Sequence, residues 1–146
     1  MTATAFDHDP VMCDEIVAAF ATVPAGVIVD ATLGGGGHSE ALLQSRPDVD
    51  VIGLDRDPAA IAAASQRLAR FGDRFGCDRV SFDMLGDVLD RRGIRTVSAV
   101  LFDLGVSSHQ LDTAARGFSY RAAGPIDMRM DPDSARSAAD LIDHAD

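Results

Sequence analysis

The residues best suited to chemistry are four consecutive glycines, Gly34 to Gly37, which follow the apolar stretch Val27 to Ala31 and lead into His38 and Ser39. Glycine has no Cβ and tolerates positive φ, so such a bend can turn sharply and lie flush against a ligand. A carboxylate, Asp55, stands about 20 residues on, at the end of a second apolar stretch, Val49 to Leu54. That is the spacing at which nucleotide-binding βαβ units set an acid on ribose hydroxyls. An ionised carboxylate only accepts hydrogen bonds, so one side chain can take both hydroxyl donors. The glycines alone could be a flexible loop; with the acid they predict a nucleoside site.

Such a site needs a sheet to hold it. The pattern predicts strands over residues 27–31, 49–54, 79–82 and 96–102. Helices are expected between them. One opens at Asp9-Pro10, with Met12, Ile16 and Phe20 inward. Others cover 39–44, the run from Asp57-Pro58 with Ile61, Ala64, Leu68 and Phe71 as its stripe, 83–92 with Leu85, Val88 and Leu89 inward, and 134–144. Arg56, Arg67 and Arg70 read as a solvated face. Alternating strands and helices imply an α/β fold with a parallel, doubly wound sheet, whose ligands lie outside the carboxyl ends of the strands. Glycines 34 to 37, Asp55, Phe82 and Asp103 fall at such ends. Residues 104–112 read as a polar loop at that edge, and 116–120 and 124–132 as irregular chain.

Composition narrows the classes. At 146 residues, with 47% hydrophobic and 25% charged residues, the chain suits one domain with a core. No apolar run is long enough to span a membrane, and Asp7, His8 and Asp9 replace the positive start of a signal peptide, so a cytoplasmic location is expected. Cys13 and Cys77 have no zinc or disulfide-scaffold spacing and are expected as small buried or partly buried thiols, with no metal site. A net charge of −10 argues against a broadly basic nucleic-acid surface.

Several stretches carry a resemblance: His8 to Met12, Asp30-Ala-Thr-Leu-Gly-Gly-Gly-Gly-His-Ser39, Gly53 to Pro58, Leu101-Phe-Asp-Leu-Gly-Val-Ser-Ser-His-Gln-Leu-Asp112, Arg116 to Tyr120, and Gly124 to Pro132. In these the chain resembles the N-terminal half of the bacterial small-subunit ribosomal RNA methyltransferases that methylate N4 of a cytidine with S-adenosylmethionine. The resemblance implies a Rossmann-like S-adenosylmethionine-dependent methyltransferase fold, here truncated, since members are roughly twice as long. It implies that Gly36, Gly37 and His38 contact the cofactor, with Asp55 on the ribose, Phe82 beside the adenine, and Asp103 and Gln110 also at the cofactor. It divides the chain into an incomplete cofactor-binding core, 1–112, and the start of an inserted helical, RNA-recognising segment, 113–146. The partner it implies is small-subunit ribosomal RNA or the small subunit itself.

Cytosine N4 is a poor nucleophile because its lone pair is delocalised into the ring. Methylating it would rest on positioning plus an acceptor that orients the amine. Asp103 is the candidate acceptor; otherwise it orients the cofactor or caps the next turn. Related DNA amino-methyltransferases place an Asp/Asn-Pro-Pro-aromatic run here, whereas this chain has Asp103-Leu-Gly-Val106. Phe118 and Tyr120 could stack on a flipped base, or Phe118 could be core. Arg116, Arg121 and Arg129 could meet phosphates, or pair with Asp112, Asp127 or Asp131. His109 is expected to be solvated. Two alternatives remain: a nucleoside-binding fragment without catalysis, and an NAD-dependent dehydrogenase, against which Ser39 occupies the position of the third fingerprint glycine.

Overall fold

In the computed structural model, which describes residues 10–145, four strands form one parallel sheet. They are β1 (Gly26–Asp30), β2 (Val49–Asp55), β3 (Phe75–Arg79) and β4 (Ala99–Leu101), in the order β3-β2-β1-β4. Val29 lies opposite Ile52 on one side and Val100 on the other. Alternate residues face opposite ways, so β1, β2 and β4 feed two cores. On one face Ile28, Val49, Val51 and Leu101 pack with Leu42 and Leu43 of α2 (Gly37–Ser45) and Ala64 and Leu68 of α3 (Pro58–Leu68). Ile16 and Phe20 of α1 (Cys13–Phe20) join them. On the other face Val29, Ile52 and Leu54 pack with Val88 of α4 (Leu85–Arg91). Helices on both faces make the sheet doubly wound, as the alternation of elements predicts.

Helix signals match where the caps are local. Asp57 accepts the Ala59 N–H at 2.9 Å with Pro58 at the first helical position, as expected of α3. The first helix differs: α1 starts at Cys13, after Met12 in a left-handed conformation, three residues later than Pro10 suggests. The Asp9 cap, His8 and Asp146 lie outside the described residues. Two arginines tie the elements together. Arg46 donates to Phe20 O at 2.7 Å and Val23 O at 3.1 Å, closing the end of α1, and Arg74 donates to Leu43 O and Val49 O, both at 3.1 Å.

Two strands fall elsewhere than expected. The third runs over 75–79, not 79–82, because its ladder follows β2 from Val51↔Phe75 to Asp55↔Arg79 and stops where β2 stops. As an edge strand it is paired on one side only and needs no continuous apolar run. Phe82 therefore lies past the strand, in the 3-10 turn Phe82–Met84 that precedes α4. The fourth strand shrinks from 96–102 to 99–101, the length that pairs with Ile28–Asp30.

The described chain forms two compact units, residues 10–104 and 105–145. In the second, the stretch read as a loop holds a short helix, α5 (Ser108–Asp112), and a later helix, α6 (Ala138–Asp143), is shorter than expected at 134–144. Both open with reciprocal capping, Ser107 with Gln110 and Ser137 with Asp140. Gln110 is the one buried residue described in this unit, so polar contacts hold it. Arg129 pairs with Asp127 at 2.7 Å, and Arg116 donates to the carbonyls of Arg129 and Met130.

Candidate functional site

The glycine turn leaves β1 at Asp30 and reaches α2 through two left-handed glycines, Gly34 at φ 50° and Gly36 at φ 80°. Leu33 anchors it to β2: its N–H donates to Leu54 O at 2.9 Å, and its methyls lie where a Cβ at Gly53 would come within 2.6 Å. The four glycines are not equivalent. A Cβ at Gly36 would stand 3.0 Å from Leu68 Cδ1 and 3.2 Å from Ala64 Cβ, so this glycine lets α2 start hard against α3. At Gly37 the Pro10 ring would be 3.1 Å away. Gly34 is open, with nothing nearer to such a Cβ than Thr32 O at 3.9 Å. Gly36 must be bare for α2 to pack on α3 and Gly37 to clear Pro10, while Gly34 stays open.

The bend and the acid meet. Gly34 N–H donates to Asp55 Oδ2 at 2.8 Å, and Asp57 N–H donates to Oδ1 at 2.9 Å. Burial pushes the Asp55 carboxyl above its ordinary range, against these two bonds, which favour the anion. Each oxygen still has accepting capacity, so two hydroxyl donors can be received. Beside it Asp30, 1% exposed, accepts from Ser39 Oγ at 2.7 Å and Thr32 N–H at 3.3 Å, and burial raises its carboxyl as well. One carboxylate thus fastens both ends of the turn.

Asp103 stands two residues beyond β4 with its side chain 53% exposed. Its N–H donates to Thr32 Oγ1 at 2.7 Å, and Oδ2 lies 3.4 Å from His38 Nε2. His38 is 7% exposed, and its Nδ1 is buried with no hydrogen-bond partner. Phe82, 43% exposed, meets Phe102, 49% exposed, edge to face at 5.7 Å between ring centres. The first unit therefore gathers Gly36, Gly37 and His38 in one turn, that turn against Asp55, and Asp103 against His38. Gln110 belongs to the second unit, where its side chain accepts the Ser107 N–H at 3.0 Å.

In that second unit Tyr120 is 96% exposed, while Phe118 is half-buried with the Arg116 guanidinium 5.9 Å from its ring centre. Arg129 is paired with Asp127, as the pairing alternative anticipates. Arg70 is exposed, on the face expected to be solvated, and pairs there with Glu40 at 2.9 Å. Cys13 and Cys77 are half-buried thiols. Among the described residues no three metal-ligating side chains cluster, and no helix is long and apolar enough to cross a membrane.

Sequence reasoning passes over Thr32, Asp30 and Phe102. The Ser39 partner of Asp30 has no local signature, and the partner of Thr32 is 71 residues away. Only α5 carried a readable signal, the Ser-x-x-Gln of a capping box.

Residues 5–146 match the family model described as the MraW methylase family. Among curated relatives, the ribosomal RNA small subunit methyltransferase H of Trichlorobacter lovleyi is 54% identical over 138 residues, covering 94% of this chain and 44% of that protein. That of Mycolicibacterium smegmatis is 50% identical, covering 95% and 39%. The chain thus spans less than half the length of these relatives. A crystal structure of a candidate rRNA-methylase from Clostridium thermocellum shares the fold, with a TM-score of 0.53 and 21% identity over 73% of this chain and 55% of the other.

Proposed function

The chain belongs to the MraW methylase family, and from that premise we propose that it supplies the cofactor-binding half of an S-adenosylmethionine-dependent methyltransferase acting on N4 of a cytidine in small-subunit ribosomal RNA. The observation that carries the proposal is the 2.8 Å bond from Gly34 N–H to Asp55, which sets a bare stretch of backbone beside a carboxylate with spare lone pairs. That pair fits a nucleoside, one face against the turn and two ribose hydroxyls donating to Asp55.

S-adenosylmethionine, when bound, would supply an electrophilic methyl group carried on a cationic sulfur. The residues supply placement. Gly36, Gly37 and His38 would hold the cofactor from the turn, with Phe82 beside the adenine. Asp103, half-exposed, accepts an N–H of the incoming amine, orients its nitrogen in line, and takes up positive charge as it develops. A nearby carboxylate also favours the cationic donor over its neutral product.

Residues 113–146 begin an inserted helical segment that meets RNA, in a cytoplasmic protein whose partner is ribosomal RNA or the small subunit. Two of the three arginines considered for phosphates, Arg116 and Arg129, are engaged within their own unit. With a net charge of −10, most phosphate neutralisation falls to other parts of the full-length protein.

Calorimetric titration with S-adenosylhomocysteine tests the proposal. The chain should bind it and not NAD. Asp55→Ala should weaken binding by about tenfold to a hundredfold, the scale of losing hydrogen bonds to a charged acceptor. Because burial raises the Asp55 carboxyl, affinity should fall on acidification already above the ordinary carboxylate range. Undiminished binding by Asp55→Ala would remove the ribose role.

A further inference from the structure

We infer that Thr32 is a positioning residue: its hydroxyl, together with the buried His38 ring, clamps Asp103 in the orientation that the cofactor and the amine require. This rests on the placement of Asp103 at the cofactor proposed above, and it adds a residue to which that proposal gives no role.

Asp103 is held at two points by the same turn. Its backbone N–H donates to Thr32 Oγ1 at 2.7 Å, which ties the chain leaving β4 to the start of the glycine turn. Its carboxylate Oδ2 lies 3.4 Å from Nε2 of His38, at the far end of that turn. The two ends of the turn are themselves fixed by one buried carboxyl group, since Asp30 accepts from Thr32 N–H and from Ser39 Oγ. The clamp is therefore anchored below the surface while the group it holds is 53% exposed. An aspartate on an exposed loop would sample several rotamers. One gripped by its own peptide and by a packed ring is pre-organised, which is what a reaction dependent on in-line geometry needs.

The His38 ring fits the role. Nδ1 is buried without a hydrogen-bond partner, so the polar neighbour the ring presents Nε2 to is Asp103 Oδ2 at 3.4 Å. At 7% exposure the imidazole is set by packing. Thr32 is the part of the clamp that can be changed without touching the ring or the acid.

A double-mutant cycle in S-adenosylhomocysteine affinity, on the whole 146-residue chain, decides the matter. Thr32→Val keeps the shape and removes the hydroxyl; it should weaken binding on the order of tenfold, as expected when a hydrogen-bonded N–H loses its acceptor. Thr32→Ser should restore affinity to within about twofold, since it returns the hydroxyl. In an Asp103→Asn background the effect of Thr32→Val should largely vanish, because the carboxylate it positions is gone. An equal loss in both backgrounds, or a lowered melting temperature with affinity unchanged, would overturn the clamp while leaving the cofactor proposal intact. Absence of binding by the unmodified chain would overturn that proposal, and the clamp with it.

Discussion

Three carboxylates show how far environment separates chemically identical side chains. Asp30 and Asp55 are driven upward by burial, so each costs stability while ionised at neutral pH and is relieved as pH falls through its raised range. Asp127 goes the other way. Arg129 reaches it through Nη2 at 2.7 Å and Nε at 2.9 Å and holds it at about 2. Its folded value lies below its unfolded value of about 3.9, so the stability it contributes is fully present above about pH 4 and lost as pH falls towards about 2. Asp127→Asn should therefore flatten that acid limb, followed as ellipticity against pH, and leave the response above pH 5 unchanged. An identical acid limb in both proteins would show that this ion pair does not support the second unit. The site residues follow the same logic: Asp103 and Asp55 are recognisable as strand-end acids, but their environments belong to the fold.

At the level of elements, glycines with one composition do opposite work. Gly36 is left-handed and lies against α3, so Gly36→Ala combines backbone strain with overpacking and should destabilise by about 2–4 kcal/mol. Gly86, inside α4, has nothing within 4 Å of where a Cβ would stand, and Gly86→Ala should stabilise by about 0.5–1 kcal/mol. Thermal unfolding of both variants checks the pair; a neutral Gly36→Ala would mean the turn adapts. The helices and inner strands were readable because apolar spacing and caps are local. Asp57 caps α3 from within two residues. The edge strand β3 was not readable. Its Phe75 and Cys77 pack inward, but its bounds come from pairing with β2. Helix α5 was read as loop, since five residues are too few for a hydrophobic period and its one local signal is the Ser-x-x-Gln cap.

Across the whole molecule, stability is unevenly distributed. The four strands and both cores lie in residues 10–104, while among the described residues of 105–145 only Gln110 is buried. Leu54, fully buried one residue before Asp55, should cost about 2–5 kcal/mol when cut to alanine, through lost transfer energy and a cavity. Leu141→Ala in α6, at a side chain 56% exposed, should stay within about 0.5 kcal/mol. Urea unfolding of the two variants measures the difference, and equal losses would mean that the second unit contributes a core of its own. The doubly wound parallel sheet of the first unit accords with family membership over residues 5–146.

The chain's own order of residues was enough to determine the glycine bend, the inner strands, the carboxylate at the tip of the second, and the family to which they belong. The bend, strands and carboxylate depend on periodicity, φ preference or short spacing, properties written within a few consecutive residues, while the family rests on the resemblance of motifs spread along the chain. The tertiary structure alone decided where the third strand runs, which glycines serve packing and which stay open, and that Asp103 hangs from Thr32 and His38. Those outcomes depend on strand order: setting β4 beside β1 brings together groups 71 residues apart, and no local pattern encodes a partner at that distance.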